Sequence, residues 1–155
     1  MPYSRAMRMI VIALTVTLLS SSLFAADAAG EARASETAFA KAFADRNADA
    51  FFSFLTDDAV FLGGKSTLSG KARVREVWSQ FFADKAAPFS WSPERVVTNA
   101  EGTLALSLGP VLDDKGTHIS NYSSVWQKQA DGSWKIVFDG PGAPVCAPAS
   151  SPEKK

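Results

Sequence analysis

The chain has 155 residues, of which 46% are hydrophobic and 21% are charged, and this length suits a single domain. Its 16 Lys and Arg residues balance its 16 Asp and Glu residues, which argues against nucleic acid or an anionic membrane surface as a partner.

The first 28 residues have the order of segments found in a secretory signal peptide. Arg5 and Arg8 precede a short apolar run over 9–19, and Ala26-Asp27-Ala28 fits the small-residue cleavage pattern, although cleavage after Ala25 fits as well. A membrane-spanning helix needs about 20 apolar residues, more than this run supplies. We therefore expect cleavage and export, to the periplasm or the medium, with no stable membrane insertion of the mature chain.

Helical spacing of apolar residues predicts three helices in the first half of the mature chain. They cover residues 35–46, 50–55 and 71–82, and a short strand over 59–62 separates the second from the third. Ser35 with Glu36 offers a capping and charge signal for the start of the first helix.

Beyond Pro88 the apolar pattern changes to a period of two, which is typical of β-strands. Strands are predicted over 89–92, 95–98 and 104–108, followed by two long strands within 118–139 that are joined at Asp131-Gly132. Helices followed by an antiparallel meander indicate an α+β domain.

The first strand of this last hairpin is the strongest indication of a pocket. Because side chains alternate between the faces of a strand, one face collects the single histidine and the large rings. The members of this face are His118, Ser120, Tyr122, Ser124 and Trp126. Residues 141–155, rich in Pro, Ala and Ser, are expected to form a disordered tail. Its Cys146, the single cysteine, cannot form an internal disulfide.

Short motifs along the chain resemble the nuclear transport factor 2-like superfamily, and more narrowly its ketosteroid-isomerase-like and SnoaL-like branch. The motifs are Asn47-Ala48-Asp49, Phe54 to Val60, Ser69-Gly70-Lys71, Tyr122 to Trp126 and Asp131 to Val137. The resemblance implies a cystatin-like fold over residues 29–140, in which a cone-shaped roll of curved antiparallel sheet wraps around three N-terminal helices. It also implies an apolar pocket at the open end of the cone and a homodimer formed through the outer sheet face.

The positions that match the catalytic residues of the ketosteroid isomerases carry other residue types in this chain. The mechanism of these isomerases needs a carboxylate base and two buried donors that meet an oxyanion. A gapless match places Gly63 at the position of the base, and Lys41 and Ser124 at the positions of the two donors. None of the three can perform the family's step in the family's way.

SnoaL-like cyclases and scytalone-dehydratase-like enzymes instead use a histidine with an aspartate or a tyrosine across the pocket. The matching candidates for catalysis are His118, Tyr122 and Asp139, with the aspartate supporting the histidine as an acid–base pair. The structural alternative is equally plain. His118 lies at a solvated rim, Asp139 enters a loop and Tyr122 belongs to the core.

Three functions therefore remain open. The first is a module that binds a small apolar molecule, the second is a cofactor-free isomerase, lyase or cyclase, and the third is an association domain that uses its outer sheet face. No metal site and no cofactor are predicted, because one histidine and one tail cysteine cannot complete a zinc shell. The residues predicted to line the ligand pocket are Phe43, Phe54, Phe61, Trp78, Trp91, Ser120, Tyr122, Ser124, Trp126 and Val137.

Overall fold

The computed structural model describes residues 27–64 and 66–143. Residues 1–26 of the predicted signal peptide and residues 144–155 of the predicted tail, including Cys146, lie outside this part of the chain.

Helix α1 covers 27–44 and is longer than the sequence pattern predicts. The alanine-rich stretch ahead of Ser35 is helical as well, since alanine has the highest helix propensity of all residues. Ser35 and Glu36 therefore lie inside the helix and do not begin it. Within the added turns, Ala28 and Ala32 are buried against the sheet side of the domain.

Two shorter helices complete the helical layer, so the prediction of three helices is confirmed. Helix α2 covers Ala48–Ser53, and the side chain of Asn47 caps its start by accepting a hydrogen bond of 3.0 Å from the backbone N of Ala50. Helix α3 covers Lys71–Trp78 and continues as a 3₁₀ turn over Ser79–Phe82. None of the helices within the described ranges is long and apolar enough to cross a membrane.

The sheet has seven strands and is antiparallel except for one pair. In chain order the strands are β1 Leu55–Gly63, β2 Ser66–Ser69, β3 Phe89–Trp91, β4 Arg95–Thr98, β5 Leu104–Asp113, β6 His118–Lys128 and β7 Trp134–Pro141. Their spatial order is β2-β1-β7-β6-β5-β3, with β4 also paired to β5. Strands β1 and β7 run parallel, because the last strand inserts between the first strand and the meander. The predicted α+β architecture is confirmed.

An aromatic core joins the helices to the concave face of the sheet. Phe39 and Phe43 of α1 meet Phe51 of α2, and the rings of Phe39 and Phe51 stack at a centroid distance of 4.3 Å. Trp126 of β6 is fully buried beneath them. Burying each such side chain contributes about 1.5–3 kcal/mol, so these rings fix the helices on the sheet.

The β5–β6 and β6–β7 pairs each contain a β-bulge. Between β5 and β6, Val111 pairs with Ser120 and Leu112 pairs with His118, which leaves Ile119 as an extra residue. Between β6 and β7, Val125 pairs with Phe138 and Trp126 pairs with Ile136, which leaves Val137 extra. A bulge re-aims the side chains that follow it. Ile119 lines the cavity described next, and the Val137 bulge comes two residues before Asp139, which also lines it.

Candidate active site

A cavity of about 270 Å³ lies between the helices and the concave face of the sheet. This volume is close to the lower end of the range for small-molecule sites, about 300–1,000 Å³. Leu62 and Ile119, which are half exposed, form part of its rim. The lining residues are Phe39, Leu62, Trp78, Phe89, Trp91, Val111, Ile119, Ser120, Asn121, Tyr122, Asp139, Gly140 and Pro141.

Aromatic side chains from helix α3 and strand β3 make up much of the wall. Trp78 ends α3, while Phe89 and Trp91 alternate with Ser90 on β3 and so face the same side. The Phe89 ring lies 6.4 Å from Trp78 and 6.1 Å from Trp91 between centroids. The three rings thus form a continuous apolar surface.

Asp139 is the acidic side chain of the wall. It lies opposite Ser124 in the β6–β7 register, and the Ser124 hydroxyl donates a hydrogen bond of 2.7 Å to its Oδ2 atom. The Val137 bulge places Asp139 on the inner face, three residues after the inward-facing Ile136. Burial raises the pKa of Asp139 to about 7, and the negative charge of Glu36 adds to the rise, while the bond from Ser124 opposes it. A carboxyl group with this pKa can give or take a proton near neutral pH.

Tyr122 lies deeper and is held by a polar partner. Only 7% of its surface is exposed, and its hydroxyl shares a hydrogen bond of 2.9 Å with the hydroxyl of Ser107. Burial raises the pKa of the Tyr122 phenol, and the nearby charge of Glu36 raises it further. Tyr122 is therefore a neutral donor or acceptor.

Glu36 is a buried acid that the sequence pattern did not reveal. It has no exposed surface, and its two carboxyl oxygens accept hydrogen bonds from the indole N–H groups of Trp91 (2.8 Å) and Trp126 (2.7 Å). The nearby Ser107 and Ser124 hydroxyls also lower the pKa of its carboxyl. Burial outweighs these interactions and raises the pKa of Glu36.

The surroundings of Glu36 reach two side chains of the cavity wall. Through Ser124 and Ser107, Glu36 is linked to both Asp139 and Tyr122. One signal in the sequence could have found Glu36, since it lies on the same helical stripe as Phe39 and Phe43, at i+3 and i+7.

The structure places part of the predicted pocket at the cavity. Trp78, Trp91, Ser120, Tyr122 and Asp139 line it. The other predicted pocket residues lie outside the cavity lining. Phe43, Phe61, Ser124 and Trp126 are buried in the interior, Phe54 packs against the core, and Val137 is the extra residue of its bulge.

His118 does not join the predicted acid–base set. Its side chain is exposed, and its Nε2 atom lies 2.8 Å from the Oδ1 atom of Asn121. The Ile119 bulge breaks the period of two between His118 and Ser120, so His118 does not share the cavity face. In this structure Asp139 accepts its hydrogen bond from Ser124, and His118 is bonded to Asn121.

The described ranges contain no group of three or more His, Cys, Asp or Glu side chains placed to hold a metal ion. The acidic pair Asp57 and Asp58 is exposed on β1, and Asp57 lies 3.7 Å from the ammonium group of Lys71.

A model of the SnoaL-like domain matches residues 33–139. No curated protein shows significant sequence similarity to the chain.

Solved structures of low sequence identity share the fold. An NTF2-like protein of unknown function from Pseudomonas putida KT2440 is 19% identical, with a TM-score of 0.63 over 77% of this chain and 88% of that one. A ketosteroid isomerase-like protein from Erwinia carotovora atroseptica is 21% identical, with a TM-score of 0.57 over 75% and 97%. A Nostoc punctiforme protein of unknown function with a cystatin-like fold is 12% identical, with a TM-score of 0.58 over 72% and 86%. These likenesses extend to the fold and not to an activity.

Proposed function

The chain belongs to the SnoaL-like domain family, and we propose that it binds a small, largely apolar molecule in the aromatic cavity. The supporting observation is the wall itself, in which rings of Trp78, Phe89 and Trp91 surround a few polar groups. Small-molecule sites usually combine an apolar lining with a small number of placed polar groups.

We also propose that this binding takes place outside the cytoplasm, after removal of the N-terminal segment. Of the two cleavage positions in the sequence, the one after Ala25 keeps the whole of α1 as described, including the buried Ala28.

A neutral probe and two serine variants test the binding function. We expect 2-naphthalenemethanol to bind the mature protein. A change in tryptophan fluorescence on titration measures this binding. Ser120→Phe fills the cavity and should abolish this binding, whereas Ser123→Phe, on the opposite face of the same strand, should leave it intact. The two serines are well matched, since each donates one hydrogen bond to a backbone carbonyl. Equal binding by both variants would contradict the cavity as the site.

A second candidate function, an isomerase, lyase or cyclase, is favoured by Asp139. Its pKa of about 7 suits a general acid or base, and Tyr122 supplies a neutral hydroxyl in the same cavity. Under this function Asp139→Asn should abolish turnover of a bound substrate and remove the ionisation near pH 7 from the pH–rate profile. An unchanged profile would exclude Asp139 as the catalytic group.

A third proposal concerns assembly, since the outer sheet face carries an apolar row. This row contains one residue from each of four neighbouring strands, which lie side by side in the register: Val97, Leu106, Val125 and Phe138. Phe138 is 51% exposed and Val97 is 40% exposed. We propose that two copies of the chain pair through this outer row.

A further inference from the structure

The polar groups of the cavity have an unusual balance of charge. Among the described residues that line it, Asp139 is the acid, and no lysine, arginine or histidine is present. The uncharged polar side chains are those of Ser120, Asn121 and Tyr122. A carboxylate or phosphate ligand would therefore meet a like charge and no cation to pair with it.

A second acid lies directly behind this wall. The negative charge of Glu36 of α1 disfavours ionisation of Asp139. Arg33, a cation of the same helix, donates its hydrogen bonds to the backbone carbonyls of Pro93 and Glu94. Within residues 27–64 and 66–143, no cation forms a salt bridge with Asp139, and a positively charged ligand group would supply one.

The aromatic wall favours the same kind of ligand. The faces of tryptophan and phenylalanine rings attract cations, with gains of about 0.5–2 kcal/mol that are largest for tryptophan and in desolvated sites. Trp78, Phe89 and Trp91 present such rings in the cavity that also contains Asp139. A carboxylate beside aromatic faces is well suited to a protonated amine on an apolar body.

We propose that the ligand of this cavity is a small apolar molecule that carries a protonated amine, whose ammonium group pairs with Asp139 against the aromatic wall. This inference rests on the proposed binding function and names the chemical class of its ligand.

The pH dependence of binding follows from the state of Asp139. In the empty cavity this carboxyl titrates near pH 7, and it must be ionised to pair with an ammonium group. Below pH 7 the Asp139 carboxyl is increasingly protonated, and it must lose this proton before it can pair with the amine. The affinity for the amine therefore falls by up to about tenfold per pH unit. Tyr122 from β6 stays neutral throughout, and titration of Glu36 from α1 acts in the same direction as that of Asp139.

Three probes that share the naphthalene ring test whether the ligand is an amine. At pH 8 we expect 2-naphthylmethylamine to bind at least about tenfold more tightly than 2-naphthalenemethanol, the equivalent of about 1.4 kcal/mol. The anion 2-naphthoate should bind most weakly. The advantage of the amine over the alcohol should shrink at pH 5.5, where Asp139 is protonated.

Variants separate the local pairing from long-range charge. Asp139→Asn should bring the ratio of amine to alcohol affinity close to one, whereas Asp58→Asn, which removes an exposed carboxylate from β1, should keep the ratio at its wild-type value. An alcohol that binds as tightly as the amine would overturn the amine inference and leave the binding function standing. Failure of every probe to bind would instead overturn the binding function.

Discussion

At the scale of single residues, two glutamates of α1 bind tryptophan indoles in contrasting surroundings. Glu36 is fully buried and accepts from Trp91 and Trp126, whereas the half-buried Glu31 accepts from Trp134 (3.0 Å) and from Lys128 (2.6 Å). The pKa of Glu36 is raised by burial, but that of Glu31 is lowered, first by its hydrogen bond from Lys128. The same residue type therefore has opposite electrostatic roles on one helix.

This contrast gives a prediction for stability. Glu36→Leu leaves two indole N–H groups without an acceptor, at about 1–3 kcal/mol for each buried group. Glu31→Leu removes a partly exposed ion pair and bond, for which we expect about 1 kcal/mol or less. Chemical denaturation at pH 5 measures both costs. Equal costs would contradict the role of Glu36 as the acceptor that holds Trp91 in the cavity wall.

The pH dependence of the Glu36→Leu cost has a definite sign. Because the pKa of Glu36 is higher in the folded state, the folded protein holds a proton that the unfolded chain has already lost. The wild-type protein therefore loses stability as pH rises from the unfolded pKa, near 4.5, towards the folded pKa. The Glu36→Leu variant has no carboxyl at this position and does not show this fall in stability. We therefore expect the difference in free energy of unfolding between wild type and variant to be smaller at pH 8 than at pH 5.

At the scale of elements, the sequence predicted the order of helices and strands but not the faces near the cavity. Periodicity located the three helices and the long hairpin because their apolar patterns are regular. A bulge shifts that pattern by one residue without any marker in the sequence, so His118 was assigned to the inner face. Glu36 was read as a capping residue because alanine-rich turns ahead of Ser35 carry no large apolar stripe.

Strand β5 has no room for a side chain at Gly109, which lies next to Tyr122. A Cβ atom at Gly109 would contact the backbone O of Ser92 and lie 2.9 Å from the Cε1 atom of Tyr122. We expect Gly109→Ala to lower the free energy of unfolding by about 1–3 kcal/mol, because a packed site must shift. Gly30 of α1 has nothing near its position for a Cβ, so Gly30→Ala should stabilise the protein by about 0.5–1 kcal/mol. Thermal unfolding of the two variants compares them, and equal effects would contradict the tight approach at Gly109.

At the scale of the whole molecule, the two faces of the sheet carry different side chains. Its concave face holds the aromatic core and the cavity, while its outer face carries the outer row of Val97, Leu106, Val125 and Phe138. Contiguous exposed apolar surface supports the proposed pairing of two copies through this row.

Assembly through the outer row can be tested with a charge. We expect the mature protein to have the mass of a dimer at micromolar concentration by light scattering after size-exclusion chromatography. Leu106→Lys places a cation in the middle of the outer row and should give a monomer, whereas Ala34→Lys, at an exposed position of α1, should remain dimeric. A monomeric wild-type protein would contradict this assembly.

The four tryptophans of the chain allow NMR to show whether a small molecule binds in the cavity. Trp78 and Trp91 line the cavity, while Trp126 and Trp134 are buried outside its wall. On titration of ¹⁵N-labelled mature protein with 2-naphthalenemethanol, we expect saturable shifts of the Trp78 and Trp91 indole resonances and little change in the other two. Shifts confined to Trp134 or to the outer row, or no shift at all, would contradict the account.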